Sequence, residues 1–357
     1  MTRSEKLRNG SGRATSAEVA RLAGVSRATV SLVLNNRAGE IGISADTGAR
    51  VAAAAARLGY QPNHAARSLR RQRTNVIAFL LHSLDSFYNA EVVSAAHAAA
   101  HERGYSLSIM SAKTEELQQR AFAMLSGGVA DGVIVAAPPA DMLPDLKRLA
   151  GAGSPVIVLQ HHSPDKSIQA VRVDLEMGGY IATRHLIELG HRRIGHIGND
   201  AQHLQKRRDR TDGYLRALRE AGIAMDESLF AAGDTGLGGG FAAMNELLAR
   251  KPRPTAVFVY NDQMAAGALH ALREKGLSAP EDMAIVGFDG IALGQFVSPE
   301  LTTIDHPREE LGRLAVEAVI DRLNGVSDQP RERVLPARLL VRESCGGATK
   351  RVEQGGE

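Results

Sequence analysis

Apolar residues along residues 75–342 fall into two alternating patterns. Short continuous apolar runs predict buried strands at 76–81, 106–110, 132–136, 156–159, 194–197, 256–259 and 284–288. Between them, apolar residues at helical spacing predict helices at 90–103, 115–125, 141–150, 180–189, 212–221, 241–249 and 263–275. Such alternation predicts parallel sheets with helices on both faces. Because the pattern restarts after Asp174, we expect two doubly wound lobes with a cleft between them.

The first 60 residues follow a different pattern, made of three short amphipathic segments. Thr15, Ser26 and Ser44 precede the segments as N-cap residues, and glycines follow the first and the third. Only an Ala-Gly-Val turn separates the first segment from the second, at 27–35. Three short helices with so tight a turn between the first two predict a helix-turn-helix unit.

Composition and charge support a chain of more than one unit. The 357 residues exceed one ordinary core, and 44% hydrophobic with 23% charged residues is typical of a globular protein. Residues 1–75 hold 13 basic and 4 acidic side chains, whereas the remainder holds 30 basic and 36 acidic ones. A basic head on a mildly acidic body indicates a module that binds a polyanion. An unstructured basic tail is the alternative that charge alone leaves open.

The cysteine content and the lengths of the apolar runs indicate where in the cell the protein is located. The single cysteine, Cys345, excludes a disulfide within the chain and a cysteine-based zinc finger, and it fits a reducing cytosol. The longest apolar runs are far shorter than the ~20 residues that span a bilayer. The N-terminus is polar and basic without an apolar stretch behind it, so no secretory signal is predicted. We therefore expect a cytoplasmic protein.

Two blocks near the N-terminus resemble a known family. Residues 15–35 read TSAEVARLAGVSRATVSLVLN, and residues 58–69 read LGYQPNHAARSL. In this order and spacing, the blocks resemble the DNA-binding headpiece of the lac/gal repressor (LacI/GalR) family of bacterial transcriptional regulators. The resemblance implies that the first turn of the second helix enters the major groove of operator DNA.

The resemblance implies two sets of DNA contacts for the headpiece. Arg27, Ala28 and Leu32 would read base edges, and Arg27 is suited to a bidentate contact with guanine. A core position is the alternative for Leu32, because the family usually has a polar or basic residue there. Short polar side chains would bind phosphates and set the register of the helix: Thr15, Ser26, Thr29, Ser31 and Asn35.

Residues 62–74 resemble the hinge of that family. Asn63 can cap a short helix, which is too short to be stable alone. The resemblance implies that this helix folds on the operator beside its two-fold mate, with Leu69 wedged between base pairs in the minor groove. Ala66 is small enough for two hinge helices to approach, and Arg70 would neutralise phosphate. The alternative is a plain basic linker.

The resemblance extends over about residues 15–342. In the body it is carried by Val173-Asp174 with Gly178, and by the segments HLIELGHRRI (185–194), NDQMA (261–265), IVGFD (285–289) and LTTI (301–304). It implies an N-terminal all-α helix-turn-helix headpiece and an α/β periplasmic-binding-protein-like core of two doubly wound parallel-sheet lobes, with crossings between the lobes near residues 161, 291 and 322. The expected units are a DNA-binding domain (14–61), a hinge and linker (62–74), a first lobe (about 75–161 and 292–322), a second lobe (about 162–291 and 323–342) and disordered tails (1–13 and 343–357).

Polar residues at the ends of predicted strands are candidates for ligand binding. Asn261 and Asp262 follow one strand, Asp289 follows another, and Arg210 opens a helix. A carboxylate, an amide and a guanidinium that converge on one cleft can bind a polyhydroxylated ligand. A turn cap is the alternative for the two aspartates, and a surface ion pair is the alternative for Arg210.

The family resemblance implies an effector site in this cleft. Its pocket positions fall on Phe87, Tyr88, Gln160, Arg210, Thr235, Asn261, Asp289 and His306. Gln160 stands where members more often have Asp, and Thr235 where members often have an aromatic ring that stacks on a sugar. We therefore expect an effector that is smaller or less sugar-like than is usual for the family.

The sequence predicts a sequence-specific transcriptional regulator, a repressor that binds a near-palindromic operator as a homodimer under the control of a small carbohydrate or derivative. A solute-binding protein of the same core fold and an α/β enzyme acting on a sugar are the alternatives. The basic head opposes the first, and the lack of a clear nucleophile or base opposes the second. We expect no metal and no cofactor, because the histidines lack ligand spacing and the glycine run 236–240 lacks the Lys-Ser/Thr of a phosphate loop.

Overall fold

The computed structural model of the chain describes residues 14–34, 42–60, 73–163, 165–199, 210–326 and 330–347. The chain divides into two compact units, residues 1–74 and residues 75–357. Each unit has its own clusters of buried apolar residues.

Three helices form the first unit over its described residues: α1 (Ser16–Ala23), α2 (Arg27–Leu34) and α3 (Ala45–Leu58). Thr15 and Glu18 make the expected capping box, in which Thr15 N donates to Glu18 Oε2 at 2.7 Å and Glu18 N donates to Thr15 Oγ1 at 3.4 Å. Gly24 ends α1 in the left-handed conformation that the tight turn requires. One buried cluster joins the three helices: Val19, Ala20, Ala23, Val30, Val51, Ala54 and Ala55.

The second unit alternates strands and helices. Its elements in chain order are β1 (Val76–Leu81), α4 (Phe87–Glu102), β2 (Ser106–Ser111), α5 (Glu115–Ser126), β3 (Gly132–Ala136), α6 (Leu143–Gly151), β4 (Val156–Leu159), β5 (Gln169–Val173), α7 (Leu175–Glu188), β6 (Ile194–Asn199), α8 (Arg210–Glu220), β7 (Phe230–Gly233), α9 (Leu237–Ala249), β8 (Ala256–Val259), α10 (Asp262–Glu274), β9 (Ala284–Asp289), β10 (Thr302–Asp305), α11 (Arg308–Leu323), β11 (Glu332–Leu335) and β12 (Arg338–Leu340).

Two six-stranded sheets make two lobes. The first sheet has the order β11-β5-β4-β3-β1-β2 and is parallel throughout. The second has the order β12-β10-β9-β8-β6-β7, in which only β12 runs antiparallel to its neighbour. Apolar helices cover both faces of each sheet, as expected for parallel strands. The predicted two-lobe α/β core is confirmed.

The chain crosses between the sheets later than the sequence predicts. Strand β5 belongs to the first sheet and β10 to the second, so the predicted crossings near residues 161 and 291 are wrong. The structure has these crossings at about 174 and at 306–307, and it has the third at 336–337 rather than near 322. The strands that extend each lobe carry polar residues such as Gln169, Arg172 and Thr302, so they lack the continuous apolar run used to find strands.

The C-terminal segment is ordered further than predicted. Residues Glu343–Cys345 form a short 3-10 helix, and both Ser344 and Cys345 are buried. Ser344 Oγ donates to the carbonyl of Ile285 at 2.7 Å, and Ser344 N donates to the carbonyl of Glu300 at 3.0 Å. The expected disordered tail therefore cannot begin at residue 343. Residues 348–357 and 1–13 lie outside the described residues.

Long apolar helices of the kind that cross a membrane are absent from the part of the chain that the structure describes.

Candidate functional site

The first turn of α2 presents the residues predicted to read bases. Arg27 and Ala28 are exposed at the start of the helix. Ser26 caps the helix by accepting a hydrogen bond from Thr29 N at 3.0 Å, and its hydroxyl also lies 2.9 Å from that of Thr29. Leu32 is only partly buried, and the cluster beneath the helix is built from other residues. The arrangement gives α2 an exposed cationic N-terminal turn.

The residues predicted to contact phosphate have mixed placements. Thr15 is exposed and Ser31 is half-buried. Asn35 lies outside the described residues, as do all four hinge positions: Asn63, Ala66, Leu69 and Arg70.

In the second unit, a buried ion pair lies at the carboxyl edge of the second sheet. Arg210 opens α8, and Asp289 is the last residue of β9. Arg210 Nη2 donates to Asp289 Oδ1 at 3.0 Å, and both side chains are about nine-tenths buried. Because the pair is buried, the alternative of a surface ion pair for Arg210 is excluded.

Two aromatic rings hold the Arg210 guanidinium. Its Cζ lies 4.2 Å from the ring centre of Tyr260 and 4.2 Å from that of Phe288. Cation–π attraction and the Asp289 carboxylate together fix the direction in which the guanidinium points.

A second set of aromatic contacts joins the lobes beside this pair. His306 lies on the segment between β10 and α11, and its ring is fully buried. The ring meets Tyr88 of α4 edge-on at 5.4 Å and Phe288 edge-on at 4.8 Å. Tyr88 and Phe288 come from different lobes, so His306 packs where the lobes meet.

Several buried polar atoms around these rings have no hydrogen-bond partner among the described residues. They are Tyr88 Oη, Gln160 Nε2, and both ring nitrogens of His306. A buried polar group without a partner costs about 1–3 kcal/mol. These atoms belong to the first lobe and to the segment that crosses between the lobes. They are donors and acceptors available to a bound molecule.

Burial dominates the titration of this cluster. It raises the pKa of Asp289 to about 6, although the cations Arg210 and Arg308 act in the opposite direction. Burial also lowers the pKa of His306, and the same two arginines lower it further. His306 is therefore a neutral ring at physiological pH, with one donor and one acceptor nitrogen. Burial raises the pKa of Tyr88, with a further rise from Asp289, so its phenol stays protonated.

Phe87, Asn261 and Thr235 lie at the edge of this cluster. Phe87 is half-exposed, and its backbone N–H donates across the cleft to Gln263 Oε1 at 3.2 Å. Asn261 caps α10 by accepting from Met264 N at 2.7 Å, and its Nδ2 donates to the carbonyl of Thr235 at 3.0 Å. The Thr235 side chain is exposed. Asn261 thus already uses both ends of its amide within the protein.

Asp262 has a structural role within the second lobe. It is fully buried, with Oδ1 accepting from the Thr303 hydroxyl at 2.6 Å and Oδ2 from Ile291 N at 2.9 Å. Burial raises the pKa of Asp262 well above its usual range, and the nearby Asp289 adds to the rise. Asp262 thus connects the start of α10 to β10 and to the loop after β9.

Backbone strain marks the strand ends that line the cleft. Among the described residues, four that are not glycine have φ in the left-handed region, and three of these end or follow strands: Ala137, Gln160 and Asp289. Residues in such conformations cluster at binding sites, where the surrounding structure holds them.

Sequence reasoning missed Phe288, Tyr260 and Arg308. Phe288 directly precedes Asp289 and Tyr260 directly precedes Asn261, so a search extended by one residue from each strand end finds both. Arg308 donates to Glu91, Asp305 and backbone carbonyls, and no local pattern signals partners that lie up to 217 positions apart.

Two family descriptions match the chain. Residues 15–63 match "Bacterial regulatory proteins, lacI family", and residues 183–345 match "Periplasmic binding protein-like domain".

Curated relatives match nearly the whole chain. The HTH-type transcriptional repressor PurR of Actinobacillus pleuropneumoniae serotype 3 (strain JL03) is 35% identical over 342 residues, which cover 94% of this chain and 100% of the relative. The HTH-type transcriptional regulator CelR of Thermobifida fusca is 36% identical over 338 residues, which cover 91% of this chain and 96% of the relative.

Solved structures match over the same extent. A transcriptional regulator CelR–cellobiose complex has a TM-score of 0.69 and 34% identity, and the match covers 93% of this chain and 100% of that chain. The lac repressor dimer bound to operator and the anti-inducer ONPF has a TM-score of 0.81 and 28% identity, and the match covers 93% of this chain and 99% of that chain.

Proposed function

Since the chain belongs to the lacI family of bacterial regulatory proteins, we propose that it is a repressor whose α2 reads operator DNA and whose interlobe cleft binds a neutral, hydroxyl-rich effector. It is a DNA-binding transcriptional regulator and not an enzyme. The family works as dimers on operators with small-molecule effectors, and a dimer brings two recognition helices to two half-sites. We place its site of action in the cytoplasm, where its operator is.

The proposed DNA contacts follow from the first turn of α2. Arg27 would donate two hydrogen bonds to guanine O6 and N7, with Ala28 and Leu32 in apolar contact with base edges. Short polar side chains would contact phosphates: Thr15, Ser26, Thr29, Ser31 and Asn35. Asn63, Ala66, Leu69 and Arg70 would form the hinge that enters the minor groove.

The proposed effector class follows from the charge balance of the cleft. Arg210 is paired with Asp289, and Arg308 is paired with Glu91, so each buried cation already has a carboxylate. An ionic ligand would break one of these pairs, which is costly in a buried site. The unpartnered groups of Tyr88, Gln160 and His306 can both donate and accept, as hydroxyls require. A small polyhydroxylated molecule fits these donors and acceptors best.

The aromatic rings and the remaining polar positions would complete the pocket. The rings of Phe87 and Tyr88 offer apolar surface to the carbon faces of a sugar. Thr235 and Asn261 would contribute hydroxyl and backbone groups at the edge. CelR is found in complex with cellobiose and another solved relative with ribose, which is consistent with this class.

The observation that carries the DNA-reading proposal is the exposed Arg27 and Ala28 on a capped helix-turn-helix. Selection of bound sequences from random duplex DNA at fixed salt tests it. We expect a two-fold symmetric motif of roughly 14–20 base pairs, with half-sites about one helical turn apart. Enrichment of no motif, in the presence and absence of candidate effectors, would overturn the proposal.

The observation that carries the effector proposal is the cluster of unpartnered buried polar atoms beside Arg210 and Asp289. A panel of neutral mono- and disaccharides, including cellobiose and ribose, would be screened by the rise in melting temperature, with sugar phosphates, sugar acids and nucleobases as comparators. We expect a neutral sugar to raise the melting temperature, and Asp289→Asn to abolish the rise. Stabilisation by charged compounds alone would contradict the proposed class.

A further inference from the structure

Arg308 lies where the chain passes from the second lobe to the first. It begins α11, two residues after His306, and its side chain is only 16% exposed. Its guanidinium donates to groups on three separate parts of the protein, and none of the site roles described above uses it.

The partners of Arg308 belong to both lobes. Its Nε donates to Glu91 Oε2 on α4 of the first lobe at 2.6 Å. Its Nη2 donates to the carbonyl of Gly290 at 2.8 Å, and its Nη1 donates to the carbonyl of Asp289, both at the end of β9 in the second lobe. Nη1 also donates to Asp305 Oδ1 at 3.2 Å at the end of β10, and to the carbonyl of His306 at 3.1 Å on the crossing segment. One guanidinium therefore joins the two lobes and the segment that crosses between them.

Close packing of α4 and α11 holds Arg308 in this position. Gly312 lies one turn after Arg308, and a Cβ there would come within 2.6 Å of the Val92 carbonyl. Only a residue without a side chain lets the helices approach so closely. Glu91, next to Val92 on α4, is thereby placed beside the Arg308 guanidinium.

Two arginines bind different groups of Asp289. Its φ of 115° is a conformation that residues other than glycine rarely adopt. Arg210 binds its carboxylate and Arg308 binds its backbone carbonyl. On α4, Glu91 lies one turn from Tyr88, the ring that packs on His306. These contacts connect Asp289, at the proposed effector site, to α4 of the first lobe, which carries Tyr88.

Resting on the proposed effector function of the cleft, we propose that Arg308 is a positioning residue, which fixes the backbone of Asp289 for the effector and couples it through Glu91 to α4 of the first lobe. Arginine is required because its planar guanidinium donates hydrogen bonds to several acceptors in different directions, whereas the lysine ammonium is a single compact charge. Loss of Arg308 frees the lobes to separate and leaves the strained Asp289 backbone without its restraint.

The test measures the distance between the lobes without any ligand. The native Cys345 is buried, so Glu116→Cys on α5 and Ala242→Cys on α9, both exposed, can be labelled selectively with spin labels. Doubly labelled full-length chain is mixed with an excess of unlabelled chain, so that each dimer carries one labelled protomer. Double electron–electron resonance then gives the distribution of interlobe distances.

We expect Arg308→Met and Arg308→Lys both to give a broader distribution with a longer mean than the parent protein. The matched control is Arg103→Met, which removes the ion pair of Arg103 with Glu317 at the other end of the same two helices, at 2.5 Å. We expect the control to leave the distribution unchanged. An unchanged distribution in folded Arg308→Met would overturn the proposal, as would equal broadening by Arg103→Met.

A second variant keeps the test decisive should Arg308→Met fail to fold. Glu91→Gln removes only the charged anchor on the first lobe and leaves the carbonyl contacts of Arg308 in place. We expect it to broaden the distribution as well, though less than Arg308→Met. A distribution identical to the parent's would show that α4 is not coupled through this pair.

The pH dependence of unfolding tests whether Arg308 lies against Asp289. The groups that face Asp289 are Arg210, Arg308, Glu91, Asp262, Tyr88 and His306. Arg308→Met removes one of the two cations, so the pH at which Asp289 titrates rises, whereas Arg308→Lys retains the charge and leaves that pH near its parent value. The readout is the difference in unfolding free energy between each variant and its Asp289→Asn partner across pH. Titration of Asp289 at the parent's pH in Arg308→Met would contradict the proposal, because Arg308 would then not lie against Asp289.

These readouts do not depend on finding the effector. If no sugar binds the parent protein but the lobes separate in Arg308→Met, the effector proposal fails and the coupling stands. If a sugar binds and the lobes do not separate, the coupling fails and the effector proposal stands.

Discussion

Arg210 Nη2 donates a 3.0 Å hydrogen bond to Asp289 Oδ1, and both side chains are buried at the carboxyl edge of the second sheet. Each group makes the burial of the other tolerable, since an isolated buried charge is costly. The pair therefore serves stability and ligand binding at once, and substitutions there separate the two.

Asp289→Ala leaves the Arg210 cation buried without its carboxylate. We expect a loss of roughly 3–5 kcal/mol in the free energy of unfolding, measured by urea denaturation. Removal of both charges, as Arg210→Met with Asp289→Leu, should recover much of that loss. The control is Asp145→Ala, which breaks the exposed pair with Arg148 and should cost less than about 1 kcal/mol. Equal losses in the two single variants would contradict the prediction.

The stability of the effector-free protein should depend on the ionisation of Asp289. Burial raises its pKa to about 6, above the value near 4 of an unfolded aspartate. A carboxyl with a raised pKa stabilises the fold while it is protonated, and this contribution is lost as pH rises from about 4 through 6. We expect the unfolding free energy of the parent, relative to Asp289→Asn, to fall over this window by on the order of 2–3 kcal/mol. A difference in unfolding free energy between parent and Asp289→Asn that stays constant or increases with pH would refute the prediction. Comparison with the matched Asn variant cancels His306, whose lowered pKa acts in the opposite direction.

Tyr88→Phe removes a hydroxyl that is buried without a partner among the described residues. Because no hydrogen bond is lost, we expect the effector-free variant to be at least as stable as the parent, by up to about 1 kcal/mol. Any sugar that stabilises the parent should stabilise this variant less. The control is Tyr214→Phe, whose hydroxyl donates to the Ile194 carbonyl at 2.8 Å and whose loss should destabilise. Destabilisation of similar size in both variants would show that Tyr88 Oη has a structural partner.

Arg27→Lys keeps the positive charge at the first turn of α2 but loses the fork that can bind two guanine acceptors. We expect the salt dependence of DNA binding to stay nearly unchanged. Discrimination at one position of the selected motif should weaken by about 1–3 kcal/mol. Competition binding against single-base operator variants measures both. Uniform weakening across all sequences would instead identify Arg27 as a phosphate contact.

Gly213→Ala tests how α8 is held in the position that points Arg210 into the cleft. A Cβ at Gly213 would lie 1.9 Å from the Glu176 carbonyl, so α8 must move away from α7. We expect a loss of at least about 2 kcal/mol in unfolding free energy and loss of effector stabilisation. The control is Gly238→Ala on α9, where a Cβ has no atom within 4 Å, and which should be neutral or stabilising by up to about 1 kcal/mol. Similar behaviour of the two variants would contradict the packing argument.

Much of the fold is readable from the chain because the central strands are unbroken apolar runs. Strands 76–81, 132–136, 156–159 and 256–259 have the predicted bounds. Helices begin earlier than predicted where their first turns lack apolar residues, as in α9, whose glycines 238–240 resemble a loop. Five strands at or next to the sheet edges, β5, β7, β10, β11 and β12, were missed because polar or small residues interrupt their apolar character. The lobe crossings were misplaced with them.

The candidate site was predictable in part. Strand ends indicate Arg210 and Asp289, which form an ion pair in the structure. The family resemblance adds Tyr88 and His306, whose rings contact one another, and the His306 ring also contacts Phe288. Sequence reasoning could not find Arg308, because its partners are assembled by the packing of distant helices. It also could not decide that Asp262 is a buried structural group, since its Thr303 partner lies 41 residues away.

Ala137, Gln160 and Asp289 keep side chains at backbone angles that suit glycine. Selection for thermal stability alone would favour glycine at Ala137 and Gln160, where it would relieve conformational strain on the order of 1 kcal/mol. At Asp289 the loss of the buried ion pair with Arg210 outweighs that relief. At Gln160 the change would also delete an amide from the cleft. In this protein, the backbone geometry that lowers thermal stability also holds side chains that the effector response requires. Engineering that raises its melting temperature by relaxing these strand ends should yield a sturdier regulator that no longer responds to its signal.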